Sequence, residues 1–215
     1  MLFRDRNQAA ELLAEALAKW RGHHAVILAI PRGAVPMGEI IAKALEGELD
    51  VVLTRKIPAP GNPELAIGAV GESGWSFLDS RAAVLGVASA YTEHAIKAQR
   101  SLMAERRSRY TPHRAKVAIA GRIAIIVDDG LATGATMIAA LHDVRAEKPR
   151  RLICAVPVAS SDALARVEAL ADEVVCLEVP RDFWAVGQFY RDFPQVDDSE
   201  VIDILSRAGI DHPLS

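Results

Sequence analysis

Five apolar residues, 123–127, run straight into two aspartates, Asp128 and Asp129, and then into a turn rich in glycine and hydroxyls, Gly130-Leu131-Ala132-Thr133-Gly134-Ala135-Thr136. The apolar residues that follow, 137–141, begin a helix. A buried strand that hands two carboxylates to its carboxyl end and a Gly-rich turn to a helix N-terminus limits the chain to α/β architectures. The turn exposes backbone N–H groups at the positive end of a helix, which is an anion site. Carboxylates beside an anion cradle suit a ligand with hydroxyls and a phosphate, such as a sugar phosphate. Strand–glycine turn–helix units are also common as plain connections, so a structural turn is the competing reading. The stretch lacks the lysine of a Walker loop and the spacing of the dinucleotide fingerprint.

The flanking sequence repeats the alternation. Residues 7–20 carry an apolar stripe at helical spacing, and 25–30 read as a buried strand. A turn with Arg32 and Gly33 precedes a helix over 37–45, whose first turn Pro36 suits. A strand over 49–54 ends in Arg55 and Lys56, two cations that would sit at the ligand-binding edge of a parallel sheet. Residues 58–63 read as a loop, 65–70 and 74–78 as a β-hairpin, 79–87 as a short helix and 91–110 as a long one. That long helix carries Lys97, Arg100, Arg106, Arg107 and Arg109, a basic cluster expected to be mostly a solvated face. Glu64 and Glu72 in the hairpin region read as solvated loop acids, with a carboxylate for a base as the sharper alternative. After the central motif come a helix over 136–145, a strand over 151–157, a helix over 161–170, a strand over 173–179 and a last helix over 196–207. The expected fold class is α/β: a doubly wound, mostly parallel sheet with flanking helices, a hairpin and helical lid inserted over about 57–115, and a C-terminal aromatic hood over about 180–215. One domain, 1–215, holds all of it.

Composition narrows the function. The net charge is −3, which gives no electrostatic case for nucleic acid or a membrane surface. No apolar run nears the ~20 residues of a membrane span, and the first residues lack a signal-peptide core. Cys154 and Cys176 sit in apolar runs and read as core thiols of a reducing, cytoplasmic compartment. No Cys/His cluster has zinc-ligand spacing. Five of the chain's few aromatics fall within 183–193, after a strand end. Phe189 and Phe193 read as packing residues, and Phe183 and Trp184 as a wall for a flat ligand.

The run V-D-D-G-L-A-T-G-A-T resembles the ribose-phosphate loop of type I phosphoribosyltransferases, which use 5-phosphoribosyl 1-diphosphate (PRPP) with magnesium. The resemblance implies that Asp128 and Asp129 hold the ribose hydroxyls and meet Mg2+ indirectly through them. It implies that the loop Gly130, Leu131, Ala132, Thr133, Gly134, Ala135 and Thr136 binds the sugar phosphate, with residues 132–136 around the 5-phosphate. Arg32 and Gly33 then look like the diphosphate loop, Arg55 and Lys56 like basic residues on the diphosphate side, and Trp184, with Phe183 second, like the ring that stacks on the base. Phosphoribosyl transfer to a nitrogenous base is the implied reaction, with PRPP and a nucleobase-like molecule as partners; the sequence leaves the oligomeric state open, and the apolar hairpin is compatible with a homodimer. One position departs from the family: relatives acting on 6-oxopurines usually carry an aspartate where this chain has Ala132, so the base stays open. A regulatory module that binds PRPP without turnover, and an unrelated phosphate-binding enzyme, are the rival classes. The second lacks a nucleophile motif, since no G-x-S-x-G is present and His142 has no partner legible in the sequence.

Overall fold

The computed structural model describes residues 2–78, 80–112 and 114–210, with positions 63, 64, 80, 81, 209 and 210 described for the backbone alone. Its centre is a five-stranded parallel sheet. Strands β1 (Val26–Ala29), β2 (Glu48–Val51), β6 (Ile123–Val127), β7 (Arg151–Val158) and β8 (Glu173–Glu178) lie in the order β2-β1-β6-β7-β8. The inner strands β1 and β6 are short, fully buried apolar runs because both sheet faces are covered. Period-2 alternation sorts the side chains: Ile27, Ala29, Ile123, Ile125 and Val127 face one apolar cluster, while Val26, Leu28, Ala124 and Ile126 face another. Helices α1 (Arg6–Ala16), α2 (Val35–Leu45) and α7 (Asp198–Ile210) fill the first cluster with Leu13, Ile41 and Ile204. Helices α5 (Ala135–Ala146) and α6 (Ser161–Glu168) fill the second with Met137, Leu141 and Val167.

The chain winds outward from β1 to β2 and then returns to place β6 on the other side of β1. The β1–β6 boundary is therefore the switch point, and the loops leaving the two strands part there to open a crevice. Ala29 pairs with Val127, so both loops start level.

Between β2 and β6 the chain builds an insertion. Strands β3 (Thr54–Ala59), β4 (Asn62–Gly71) and β5 (Ser76–Leu78) form a separate antiparallel sheet, followed by α3 (Ser80–Val84) and α4 (Ser89–Tyr110). The expected hairpin is present, but two expectations are corrected. The parallel strand placed over 49–54 ends at Val51, and Arg55 and Lys56 belong to β3 of the second sheet. The loop placed over 58–63 shrinks to a turn at Pro60-Gly61, because Pro58 falls at a register irregularity of edge strand β3 and Pro63 at the start of β4, positions where proline is tolerated. Asp79, the start of the expected short helix, lies outside the described residues, as do the Glu64 side chain and the tail beyond Ile210.

The basic face of α4 is exposed at Lys97, Arg100 and Arg109, as expected, and departs from that expectation at Arg107. Arg107 is largely buried: it donates to Glu72 through Nε (2.9 Å) and Nη2 (2.6 Å), to Asp50 through Nη1 (2.6 Å) and to the Val51 carbonyl (2.7 Å). Asp50 is fully buried and also accepts from Arg114 and from the N–H groups of Val51 and Val117. Glu72 is thus a structural partner of Arg107. His142 likewise has a partner: its ring stacks on Trp75 at 4.7 Å, beside Asp143, which accepts from Ser73. The insertion is therefore fastened to the helix that follows the Gly-rich turn. Cys154 is buried, Cys176 is half-buried, and both are free thiols.

Candidate functional site

The carboxyl end of β6 delivers Asp128 and Asp129 to the crevice. The Asp129 N–H donates to Asp128 Oδ1 at 2.9 Å. Burial raises the Asp128 pKa well above the ordinary carboxylate value, and the neighbouring Asp129 charge raises it further. Burial raises Asp129 too, against the opposing pull of Arg6. Two desolvated acids at one sheet edge are costly to the fold and mark a site that binds donors.

The turn behind them is held by its carbonyls. Leu131 bridges to Ala159, its N–H donating to Val158 O and its carbonyl accepting from the Ser160 N–H, both at 2.9 Å. Ser160 Oγ donates to Ala132 O at 2.8 Å, and Arg166 Nη1 donates to Thr133 O at 3.1 Å. Gly134 turns the chain with φ 70°, a left-handed conformation that glycine adopts without a Cβ penalty, and caps α5. With the carbonyls pinned, the first turn of α5 offers the N–H groups of Thr136 and Met137, which have no intrahelical acceptors, while the Ala135 N–H donates to Thr133 Oγ1 at 3.4 Å. Ala132, Thr133, Ala135 and Thr136 are exposed. Open amides, two threonine hydroxyls and a helix N-terminus can hold a phosphate.

The loop after β1 comes to the same place and carries a cis peptide between Pro31 and Arg32. Gly33 lies so close to Asp129 that a Cβ there would overlap Asp129 Oδ2. The Arg32 side chain turns toward α7, where Nη1 sits 3.8 Å from Asp198 Oδ1. A cavity of about 40 Å3 joins Pro31, Thr54, Arg55, Arg106 and Thr136. Arg55 thus borders both loops and donates to Gln99 on α4 at 2.6 Å. Lys56, one residue on, is exposed and turned to the opposite face of β3. Of the two cations, the structure brings Arg55 to the crevice and not Lys56.

The segment after β8 covers the acid pair from the side. Gly130 is packed beneath it, where a Cβ would meet Val186 Cγ1 at 2.7 Å. The Tyr190 hydroxyl donates to the Asp129 carbonyl at 2.7 Å. Phe189 and Phe193 pack against the body as expected, Phe193 stacking on Tyr190 at 4.7 Å. Phe183 is spent on Phe189 at 5.1 Å. Trp184 is 88 % exposed, and its backbone N–H donates to Gln188 Oε1.

Sequence reading missed Arg6, Arg166 and Tyr190, and named Arg106 only within the basic cluster of the long helix. Arg6 had one local signal. It occupies the first turn of α1, where a cation opposes the helix macrodipole and so needs a partner elsewhere. Its partner is Asp129, 123 residues away. Among the described residues, no group of three or more His, Cys, Asp or Glu side chains converges to hold a metal, and no helix is long and apolar enough to cross a membrane.

Comparison with known proteins agrees with this layout. TT1426 from Thermus thermophilus is 50% identical and superposes with a TM-score of 0.84, over 96% of this chain and 99% of that one. Rv0571c from Mycobacterium tuberculosis H37Rv, provisionally named a phosphoribosyl transferase, is 43% identical over 211 residues, and its counterpart MT0597 in strain CDC 1551 matches equally. The alignment takes in 98% of this chain but 48% of those proteins, so the chain spans about half the length of the curated relatives it matches. The sequence profile of the phosphoribosyl transferase domain matches residues 5–194, from just before Arg6 to the end of the aromatic segment, and the chain belongs to that family.

Proposed function

We propose that the protein transfers the 5-phosphoribosyl group of PRPP to a nitrogenous base and releases diphosphate. The observation that carries this reading is the meeting of three parts at the β1–β6 switch point: the acid pair, the Gly134 anion turn and the Gly33 loop. Asp128 and Asp129 accept the ribose hydroxyls. Residues 132–136 take the 5-phosphate with backbone N–H groups and the hydroxyls of Thr133 and Thr136. The Gly33 loop, with Arg32 and Arg55, takes the diphosphate, a dense anion suited to amides and guanidinium groups.

In the reaction the bond from the anomeric carbon to the diphosphate oxygen breaks with its electron pair leaving on the diphosphate, a bond from that carbon to the base nitrogen forms, and the proton of that nitrogen passes to the departing diphosphate or to water. The chain supplies position and charge complementarity to a cationic sugar and a departing anion. The donor chemistry fits magnesium held indirectly: Asp128 and Asp129 are hard oxygen acceptors at the phosphate turn and would meet the ion through the ribose hydroxyls, consistent with a cation that takes few protein ligands. When bound, the ion would supply positive charge to offset that developing on the diphosphate. Trp184, exposed on the segment after β8, is the ring available to a base, and such stacking is worth about 1–3 kcal/mol. The exposed Phe77, Leu78, Val84 and Leu85 on the insertion favour a homodimer, and the two free thiols favour a cytoplasmic protein.

A non-catalytic PRPP-binding module is the second reading, favoured by Ala132, which leaves the loop without a carboxylate to manage the base proton. Diphosphate release, measured with PRPP, Mg2+ and a panel of nucleobases, tests both. Base-dependent release supports the transferase. Saturable PRPP binding without release from any base supports the module. Absence of PRPP binding overturns both.

A further inference from the structure

The Asp129 carboxylate is already held before any ligand arrives. Arg6 Nε and Nη2 both donate to Oδ2, at 3.0 and 2.9 Å. Two donors fill that oxygen, so Oδ1 is the oxygen left for a ribose hydroxyl. The clamp is itself supported. Arg6 Nη1 donates to Pro194 O at 2.6 Å, and the guanidinium lies 3.7 Å from the centre of the Phe193 ring. The Asp5 cap fixes the start of α1 and hence the origin of the Arg6 side chain, accepting from the Gln8 N–H at 2.8 Å. The pair is largely buried, with the Arg6 and Asp129 side chains 11% and 18% exposed. Nη2 also borders the loop after β1, standing 3.3 Å from where a Gly33 Cβ would lie. An arginine placed against its own helix dipole, half sandwiched by an aromatic ring and forked onto one oxygen of the acid pair, exceeds what packing of α1 requires.

We propose that Arg6 is a positioning residue for ribose recognition: it clamps Asp129 with Oδ2 filled and Oδ1 presented to the sugar, and ties the aromatic segment to that carboxylate. This rests on the PRPP reading above. Arg6 acts through Asp129, so its loss weakens ligands that carry ribose hydroxyls and spares those that do not. Lysine at this position keeps the charge but has no planar fork, and restores the effect only in part.

Titration calorimetry of the full chain, its Arg6→Gln and Arg6→Lys variants and a Phe193→Leu variant with three probes tests this: PRPP with Mg2+, ribose 5-phosphate and inorganic diphosphate. Arg6→Gln is expected to weaken PRPP and ribose 5-phosphate about tenfold or more, the scale of a charge-assisted hydrogen bond. Inorganic diphosphate should bind unchanged, Arg6→Lys should fall between, and Phe193→Leu should lose less than Arg6→Gln. Should Arg6→Gln fail to fold, the Arg6→Lys and Phe193→Leu variants carry the comparison. Wild-type affinity for PRPP in Arg6→Gln overturns the inference and leaves the transferase reading standing. Equal weakening of diphosphate also overturns it, by making Arg6 a direct diphosphate contact. A wild-type chain that binds neither PRPP nor ribose 5-phosphate overturns the transferase reading and the Arg6 inference with it.

Discussion

Two charged clusters sit close to the parallel sheet, and they are built in opposite ways. Around Asp50, two arginines meet two acids, and Asp50 accepts from Arg107, Arg114 and two backbone N–H groups. Burial works to lower the Arg107 pKa, but hydrogen bonds and charge from Glu72 and Asp50 outweigh it and hold the guanidinium above its ordinary value. Around Asp128, two acids share one arginine, and both carboxyls are pushed up. The first cluster is balanced and locks β2, the insertion and α4 together. The second is left short of positive charge and hydrogen-bond donors. A fold leaves such a deficit where a ligand is to supply what is missing, which is why the unbalanced pair, and not the more elaborate network, marks the site.

Removing one member should hurt the balanced cluster most. Arg107→Ala strands two acids, one of them fully buried, and should cost about 3–5 kcal/mol in urea unfolding. A loss below about 1 kcal/mol would mean that the network is not structural. Next in size is the fastening of the insertion to α5. Ser73→Ala takes the hydroxyl partner from buried Asp143, whose Oδ2 already has no partner, and should cost about 1–3 kcal/mol.

Smaller, but decisive in sign, is the pH dependence. The folded pKa of Asp128 and Asp129 lies above the unfolded one, so their contribution to stability is fully present below the ordinary carboxylate value of 3.8 and is lost as pH rises through the raised values. The Asp128→Asn, Asp129→Asn double variant should therefore gain stability relative to wild type as pH rises through that window. Asp172 is the opposite case, since the Arg145 hydrogen bond lowers its pKa. Its contribution is present above the ordinary value and lost as pH falls through the lowered one, so Asp172→Asn should be relatively destabilised at neutral pH. Thermal melts across pH would read both signs, and the same sign for both would contradict the reading of Asp128 and Asp129 as a pair short of positive charge, against Asp172, which Arg145 satisfies. Trp184→Ala should change stability least, within about 0.5 kcal/mol, because the ring is exposed. It should raise the KM for the base far more than that for PRPP, whereas an equal change in both would make the ring structural.

What the sequence disclosed follows from the range of the interactions. Strands such as β1 and β6 are continuous apolar runs, and the acid pair and Gly134 turn follow β6 directly, so local pattern sufficed. Strands β3 and β4 hold Pro58, Pro63, Arg55 and Lys56, which read as loop and edge because a separate small sheet imposes no apolar run. The Arg107 partners lie 35 and 57 residues away, and nothing local separates a buried arginine from a solvated one on a helix rich in them. The Tyr190 link to Asp129 spans 61 residues and the Arg6 link 123, so the acid pair was legible while the residues that orient it were not.

The most direct measurement is PRPP titration, with Mg2+, into the wild-type protein and the Asp128→Asn, Asp129→Asn double variant, each checked for an intact cooperative melt. Saturable binding by the wild type and none by the folded double variant is the expected result. Equal PRPP affinity in the two proteins would contradict the placement of the site at the carboxyl end of β6.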